Sequence, residues 1–333
     1  MLYDSSVSRR DNLSALVIGG AGFIGSHLVD ELIQSSEFKK VAILDNFFLG
    51  DLDNLSEARK SEKYSLVRGD ATDVSTIRKV VEDNNCDVIF NLGVTPLPNS
   101  LDFPYWSSKV NMDIALAVCE VARLFPEIRL LHCSSSEVYG TLLTSPMTES
   151  HSCIPETPYA ASKYAGDVLV QSYVRTFGIN ALIARPFNNY GPRQNTREYK
   201  GIFPSFAEAI LRRKPLLITG TGTQSRDFVY VQDTSRAIFL LALKGDFQSG
   251  DVVNIGTGID TSMIAIAQKT IKMFNYSEIG IKFINERSGD VSKHIGSFEK
   301  LYELTKFRPL AIGDGQIKST IESLIGSIEK NQK

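Results

Sequence analysis

The chain has 333 residues, 43% hydrophobic and 22% charged, with a formal net charge of −2. That length suits one large α/β domain, or one plus a smaller lobe, of ordinary soluble composition. With no basic run and no acidic tail, the charge excludes nucleic acid and anionic membrane as principal partners, but not phosphate-bearing small molecules that need a few local donors.

Residues 1–12 read as a loose polar arm (Asp4, Arg9, Arg10, Asp11), with no apolar signal segment and no long apolar run after it. Neither a signal peptide nor a membrane span is expected. Apolar runs at 15–18, 41–44, 64–68, 87–92, 128–133 and 181–185 predict strands. Segments near 23–35, 52–61, 74–83, 107–125 and 159–177 predict helices between them. Strands alternating with helices imply a parallel sheet covered on both faces. After residue 186 Gly and Pro punctuate "RPFNNYGPRQ", and helical patterns recur near 203–213, 233–244, 261–273 and 297–305. The expected fold is α/β: a doubly wound parallel sheet over 13–186, and a smaller lobe over 187–330. Some later segments should return to the first domain, "RDFVYVQD" (226–233) being a candidate for its sheet.

The first strand runs into "GGAGFIG", with Gly19, Gly22 and Gly25 three apart and a helix following. Such glycines let the backbone approach a diphosphate at a helix N-terminus. A plain glycine turn is the alternative, but strand before and helix after is the context a dinucleotide site requires. The second strand ends at Asp45, 20 residues beyond Gly25. A carboxylate there accepts from ribose hydroxyls and repels a 2′-phosphate, which points to NAD; the alternative is a cap on the loop "DNFFLG". In "RGDATD", Asp70 falls where an adenine edge would lie and Ala71 offers backbone, while Thr72 or Asp73 is an equally good helix N-cap.

"SSSEVYG" (134–140) ends an apolar strand with three hydroxyls, a carboxylate and a phenol. Ligands bind at that end of an open parallel sheet. "YAASK" then places Tyr159 and Lys163 four apart at the start of a helix, on one face. The ammonium is expected to lower the phenol's pKa from about 10 towards working pH and make Tyr159 a general base. Cys86, Cys119, Cys133 and Cys153 form no C-x-x-C, and His27, His132, His151 and His294 are scattered. Reduced thiols in a cytoplasmic protein, and no metal site, are the expectation.

With these elements in order, the sequence resembles the extended short-chain dehydrogenase/reductase family that modifies nucleotide sugars. "GGAGFIGSHL", "LDNFFLG", "GDATD", "SSSEVYG", "PYAASK", "RPFNNYGPRQ", "RDFVYVQD", "NIGTG" and "ERSGDV" stand in family order over nearly the whole chain. The resemblance implies a Rossmann domain with a C-terminal sugar-nucleotide lobe. It implies NAD held by Gly19, Gly22, Phe23, Ile24, Gly25, Asp45, Asn46, Asp70, Ala71, Leu92, Gly93, Tyr159 and Lys163. Ser135 would bond the C4 hydroxyl, Tyr159 take its proton, Lys163 bind the nicotinamide ribose, and Asn111 support the site. Asn188, Arg193, Arg226 and Arg287 would contact the substrate, favoured as a UDP-sugar; for each arginine the alternative is a surface ion pair. Helices near 107–125 and 159–177 resemble those that pair family homodimers.

Three departures stand out. Ile18 replaces the usual Thr before the glycines, Gly93 the usual Ala, and Ser288 the usual Pro. Gly93 is expected to widen the space beside the cofactor.

Ser136 and Glu137 complete the candidate catalytic set. Epimerases of the family carry small or neutral residues here, dTDP-glucose-type dehydratases Asp–Glu, and GDP-mannose dehydratases and UDP-glucuronate decarboxylases Ser–Glu or similar. Once C4 is a ketone the C5 proton becomes acidic. Glu137 can then remove it and drive loss of the C6 hydroxyl, helped by a closed site that raises a carboxyl's pKa. Dehydration (4,6 or 5,6) is therefore the expected outcome. C4 epimerisation comes next, with Glu137 a structural partner, and decarboxylation third, since 94–106 has no cation for a substrate carboxylate. A non-catalytic NAD sensor is the alternative of another class.

Overall fold

A computed structural model describes residues 12–197, 200–243, 247–285 and 291–331. The expected substrate contact Arg287, and Ser288 beside it, lie outside the described residues.

Chain order gives β1 (Leu13–Ile18), α1 (Phe23–Gln34), β2 (Phe38–Asp45), β3 (Tyr64–Arg68), α2 (Val74–Asn84), β4 (Val88–Asn91), α3 (Leu97–Asp102), α4 (Pro104–Leu124), β5 (Arg129–Cys133), α5 (Pro158–Phe177) and β6 (Asn180–Pro186). Then come β7 (Asn188–Tyr190), α6 (Ile202–Leu211), β8 (Leu216–Thr219), β9 (Ser225–Tyr230), α7 (Val231–Leu243), β10 (Val252–Ile255), β11 (Asp260–Ser262), α8 (Met263–Met273), β12 (Ile281–Ile284), α9 (Glu299–Thr305) and α10 (Asp314–Lys330). The helix expected over 52–61 is two short 3₁₀ turns, Leu52–Leu55 and Ala58–Lys60.

The main sheet has seven strands, ordered β10-β6-β5-β4-β1-β2-β3 and paired in parallel throughout. The order reverses between β1 and β4, which opens a crevice beyond their carboxyl ends. Successive strand residues face opposite sides. Ala15 and Val17 pack with Leu28 and Leu32 of α1 and Ile238 of α7. Leu16 and Ile18 pack with Val80 of α2 and Val118 of α4. The segment "RDFVYVQD" does not rejoin this sheet. Its strand β9 sits between β7 and antiparallel β11 in a three-stranded sheet. The returning strand is β10, whose Val252–Ile255 pair with β6 at the sheet's edge. A separate core, with Phe203, Phe206, Phe228, Ile266, Ile321 and Leu324, belongs to the later elements.

Candidate active site

The crevice opens into a cleft of about 790 Å³. Its cofactor wall begins where β1 ends. Gly19 has φ +74°, the left-handed region that disfavours a side chain. A β-carbon on Gly25 would lie 2.2 Å from the Gly19 carbonyl oxygen. The loop therefore requires glycine at both points; Gly22 is the N-cap of α1, and the first residues of that helix, whose N–H groups have no intrahelical partner, line the cleft. Asp45 ends β2. Its Oδ2 accepts from Ala21 N (2.9 Å) and its Oδ1 from Phe47 N (2.8 Å). Burial pushes its carboxyl pKa up, and those two bonds pull it down. Each oxygen keeps a second lone pair for a ribose hydroxyl. Asp70 accepts from Thr72 N (2.9 Å) and lines the cleft, whereas Asp73 is the N-cap of α2. Of the two N-cap candidates it is Asp73, not Thr72, that caps the helix. Phe23, Ile24, Asn46, Ala71, Leu92 and Gly93 line the same wall. Such a glycine cradle beside a ribose-level carboxylate fits a dinucleotide.

At the end of β5, Ser135 caps the turn Ser136–Tyr139, its Oγ accepting from Glu137 N at 3.2 Å. The Ser135 side chain also lies near the Tyr159 phenol and favours its ionised form. Thr157, accepting from Ala160 N at 3.1 Å, and Pro158 start α5 and so place Tyr159 in its first turn. Lys163 follows one turn on, buried, its Nζ donating to the Cys133 carbonyl (2.6 Å). Behind them Asn111 Oδ1 accepts from Thr95 N (2.8 Å), and its Nδ2 donates to Ser162 Oγ (3.0 Å). Ser162 Oγ in turn donates to the Tyr159 carbonyl (2.8 Å). The buried Asn111 thereby ties the loop after β4 to α4 and to the first turn of α5.

The electrostatics correct one expectation. Burial holds the Tyr159 phenol well above its ordinary pKa, the nearby Ser135 side chain opposes this, and the Glu137 charge adds to it. Lys163 directs its ammonium at the Cys133 carbonyl and is itself pulled down, chiefly by burial. The expected lowering of Tyr159 by Lys163 is absent. Cys133, pushed up to about 11 mainly by burial, stays a thiol.

Ser135, Glu137, Tyr159 and Lys163 all line the cleft. Ser136 is buried and is not part of the lining, so the structure does not bring it to the other candidates. On the far wall, Asn188, Arg193 and Arg226 line the cleft. Arg226 is buried and donates through Nη1 to the Ser225 carbonyl (3.0 Å). Arg193 reaches the lining with its guanidinium in an ion pair to Asp30 of α1 (2.7 Å). Gly93 does not widen the site: Ile18 Cγ2 lies 3.0 Å from where its β-carbon would be. Thr95, Trp106 and Lys200 also line the cleft and were not expected there. None of the three belongs to a motif read from the sequence.

A family model described as the NAD dependent epimerase/dehydratase family matches residues 15–256, and the chain belongs to that family. It is 35% identical to the putative UDP-glucose 4-epimerase of Methanocaldococcus jannaschii, over 74% of this chain and 78% of that one. It is 33% identical to UDP-glucuronic acid decarboxylase 6 of Arabidopsis thaliana (90% and 85%) and 30% identical to the dTDP-glucose 4,6-dehydratase of an Actinoplanes species (89% and 93%). Among solved structures, the UDP-glucuronic acid 4-epimerase of Bacillus cereus, in complex with UDP-glucuronic acid and NAD, superposes with a TM-score of 0.86 at 26% identity. That match covers 95% of this chain and 100% of the other. NAD is the cofactor of the family, and the residues of the cleft fit it.

Proposed function

We propose that the protein dehydrates a nucleotide-activated hexose, a UDP-sugar, through transient oxidation at C4. The observation that carries this is the shared lining of Glu137 with Ser135, Tyr159 and Lys163, together with the effect of the Glu137 charge on Tyr159. Bound NAD supplies the hydride acceptor and, later, the donor. Ser135 and Tyr159, both lining the cleft, receive the C4 hydroxyl between them, and Tyr159 takes its proton. Glu137 takes the C5 proton made acidic by the C4 ketone and delivers it to the departing C6 oxygen, so that water leaves. In a 4,6-dehydratase the hydride would return to C6 and a proton to C5, with Tyr159 giving up to solvent the proton it took; in a 5,6-dehydratase the hydride would return to C4 and the Tyr159 proton to its oxygen, and the residues required are the same. Asn188 and Arg226 bind the diphosphate, with Arg287 as a further contact and Arg193 beside the sugar. Homodimers of this chain would form through α4 and α5, which pack together and expose Leu116, Leu124, Val168 and Phe177. A cytoplasmic setting suits its reduced thiols.

C4 epimerisation is the second reading, and the withdrawal of Ser136 from the cleft favours it. Only the Glu of the Asp–Glu dehydratase pair then has a counterpart at the site. Decarboxylation is third, because residues 94–106 bring no charged side chain to the cleft. The convergence of Ser135, Tyr159 and Lys163 speaks against a sensor that binds NAD without turnover. Among the described residues no group of three or more His, Cys, Asp or Glu suits a metal, and no helix is long and apolar enough to cross a membrane.

The test is incubation with NAD and UDP-glucose, UDP-N-acetylglucosamine or UDP-glucuronate, with products read by mass spectrometry. A product lighter by one water is expected. Unchanged mass with a new C4 isomer establishes the epimerase instead, and loss of carbon dioxide the decarboxylase.

A further inference from the structure

We propose that Phe48 and Trp106 form an aromatic latch across the mouth of the cleft, which holds the adenosine half of the cofactor in place during the reaction cycle. The two rings come from opposite walls. Phe48 lies three residues beyond Asp45, on the loop after β2, and Trp106 lies in the first turn of α4. Their centroids are 5.4 Å apart at 64°, an edge-to-face contact. Both line the cleft while remaining 46% and 43% exposed. They therefore bridge the ribose wall (Asp45, Asn46) and the α4 wall (Val110, Ile114), with one side towards solvent and the other towards the cavity.

The two sides differ in rigidity. Trp106 is anchored, because its neighbour Ser107 bonds Thr95 Oγ1 (2.6 Å) and Pro104 opens the helix. Phe48 sits on a short loop held by Asp45 to Phe47 N, by Asn46 Oδ1 to Phe48 N (3.0 Å) and by Ala21 O to Asp51 N, with its ring left free to turn. Phe47 before it has φ +61°, an uncommon backbone for an aromatic residue. The latch can thus open by turning the Phe48 ring away from a fixed indole. The need is chemical. A cycle that reduces and reoxidises one cofactor molecule fails if that molecule escapes half-way. An edge-to-face pair corresponds to roughly a 2- to 10-fold change in an escape rate.

The test uses Trp106, the only tryptophan in the chain. Its emission overlaps reduced-nicotinamide absorption, so bound NADH quenches it. The protein is loaded with NADH and chased with excess NAD in a stopped-flow instrument, and NADH fluorescence is followed as well. Phe48→Ala and Trp106→Ala should each release NADH roughly 2- to 10-fold faster. Phe48→Tyr and Trp106→Phe, which keep a ring pair, should stay near the wild-type rate. The double alanine variant should be no faster than either single one. Unchanged release in the alanine variants, or additive acceleration in the double one, overturns the latch. The readout does not depend on which sugar reaction follows.

Discussion

A β-carbon added to Gly93 would lie 3.0 Å from Cγ2 of Ile18. Two departures from the family pattern therefore meet at one point, and the glycine accommodates the larger apolar side chain. Gly93→Ala should overpack this contact and cost about 1 kcal/mol. In an Ile18→Ala background that cost should vanish. Denaturant unfolding of the four proteins gives the coupling, and equal costs in both backgrounds would separate the two residues.

Tyr159→Phe should lower turnover by about 10²–10⁴-fold and leave NAD content after gel filtration unchanged. The Glu137 charge adds to the proton affinity of Tyr159. Glu137→Gln should therefore move the acid limb of the C4 oxidation step, followed at 340 nm, to lower pH. A shift to higher pH would contradict the proximity of the two groups.

Asp227 accepts from Thr257 N (3.0 Å), Gly258 N (3.0 Å) and Gly296 N (3.1 Å), and its neighbour along β9 is Arg226. In Asp227→Asn the amide NH₂ replaces one acceptor, and each buried N–H left alone costs about 1–3 kcal/mol. Reduced stability is expected. With Arg226 misplaced, KM for the nucleotide sugar should rise more than kcat falls. A drop in kcat alone would make Asp227 irrelevant to substrate binding.

His27 and His294 are buried, and burial is the main reason each imidazole is held down to about 4. In an unfolded chain a histidine takes its proton near pH 6.5. Below that pH the unfolded chain binds protons that the fold refuses. Their contribution is complete above about pH 6.5 and is lost as pH falls towards 4, by about 3 kcal/mol each. His294→Gln keeps a donor towards the Gly140 carbonyl, which His294 Nε2 now bonds at 2.7 Å. Buried His132 is likewise held well below its ordinary value, so the variant should flatten the histidine part of the loss of unfolding free energy between pH 7 and 4.5 by roughly a third. An unaltered slope would remove His294 from the account.

The first half of the fold was legible because each strand carries an apolar run and each motif sits at a strand's carboxyl end. The strand at 64–68 stands where expected, and those ending at Ile18 and Asp45 place their loops as expected. The later half was less so. Strands β7 and β11 have three residues each, too short for a periodic signal, and "RDFVYVQD" reads as apolar whichever sheet it joins. Helix α10 has a readable stripe (Ile317, Ile321, Leu324, Ile328) but no motif, and it lay outside the expected elements. That Ser135, Glu137, Tyr159 and Lys163 share the cleft was legible from residue type and spacing. Their electrostatics were not, because the proton affinity of Tyr159 depends on burial and on where Lys163 points.

The most direct test of the central claim is Glu137→Gln under single-turnover conditions with the UDP-sugar that the wild-type protein converts. Absorbance at 340 nm and product mass are read together. In that variant C4 oxidation should persist, reduced cofactor should accumulate, and the product lighter by one water should disappear. Dehydration at the wild-type rate in Glu137→Gln, or a wild-type product that is only a C4 isomer, would contradict it.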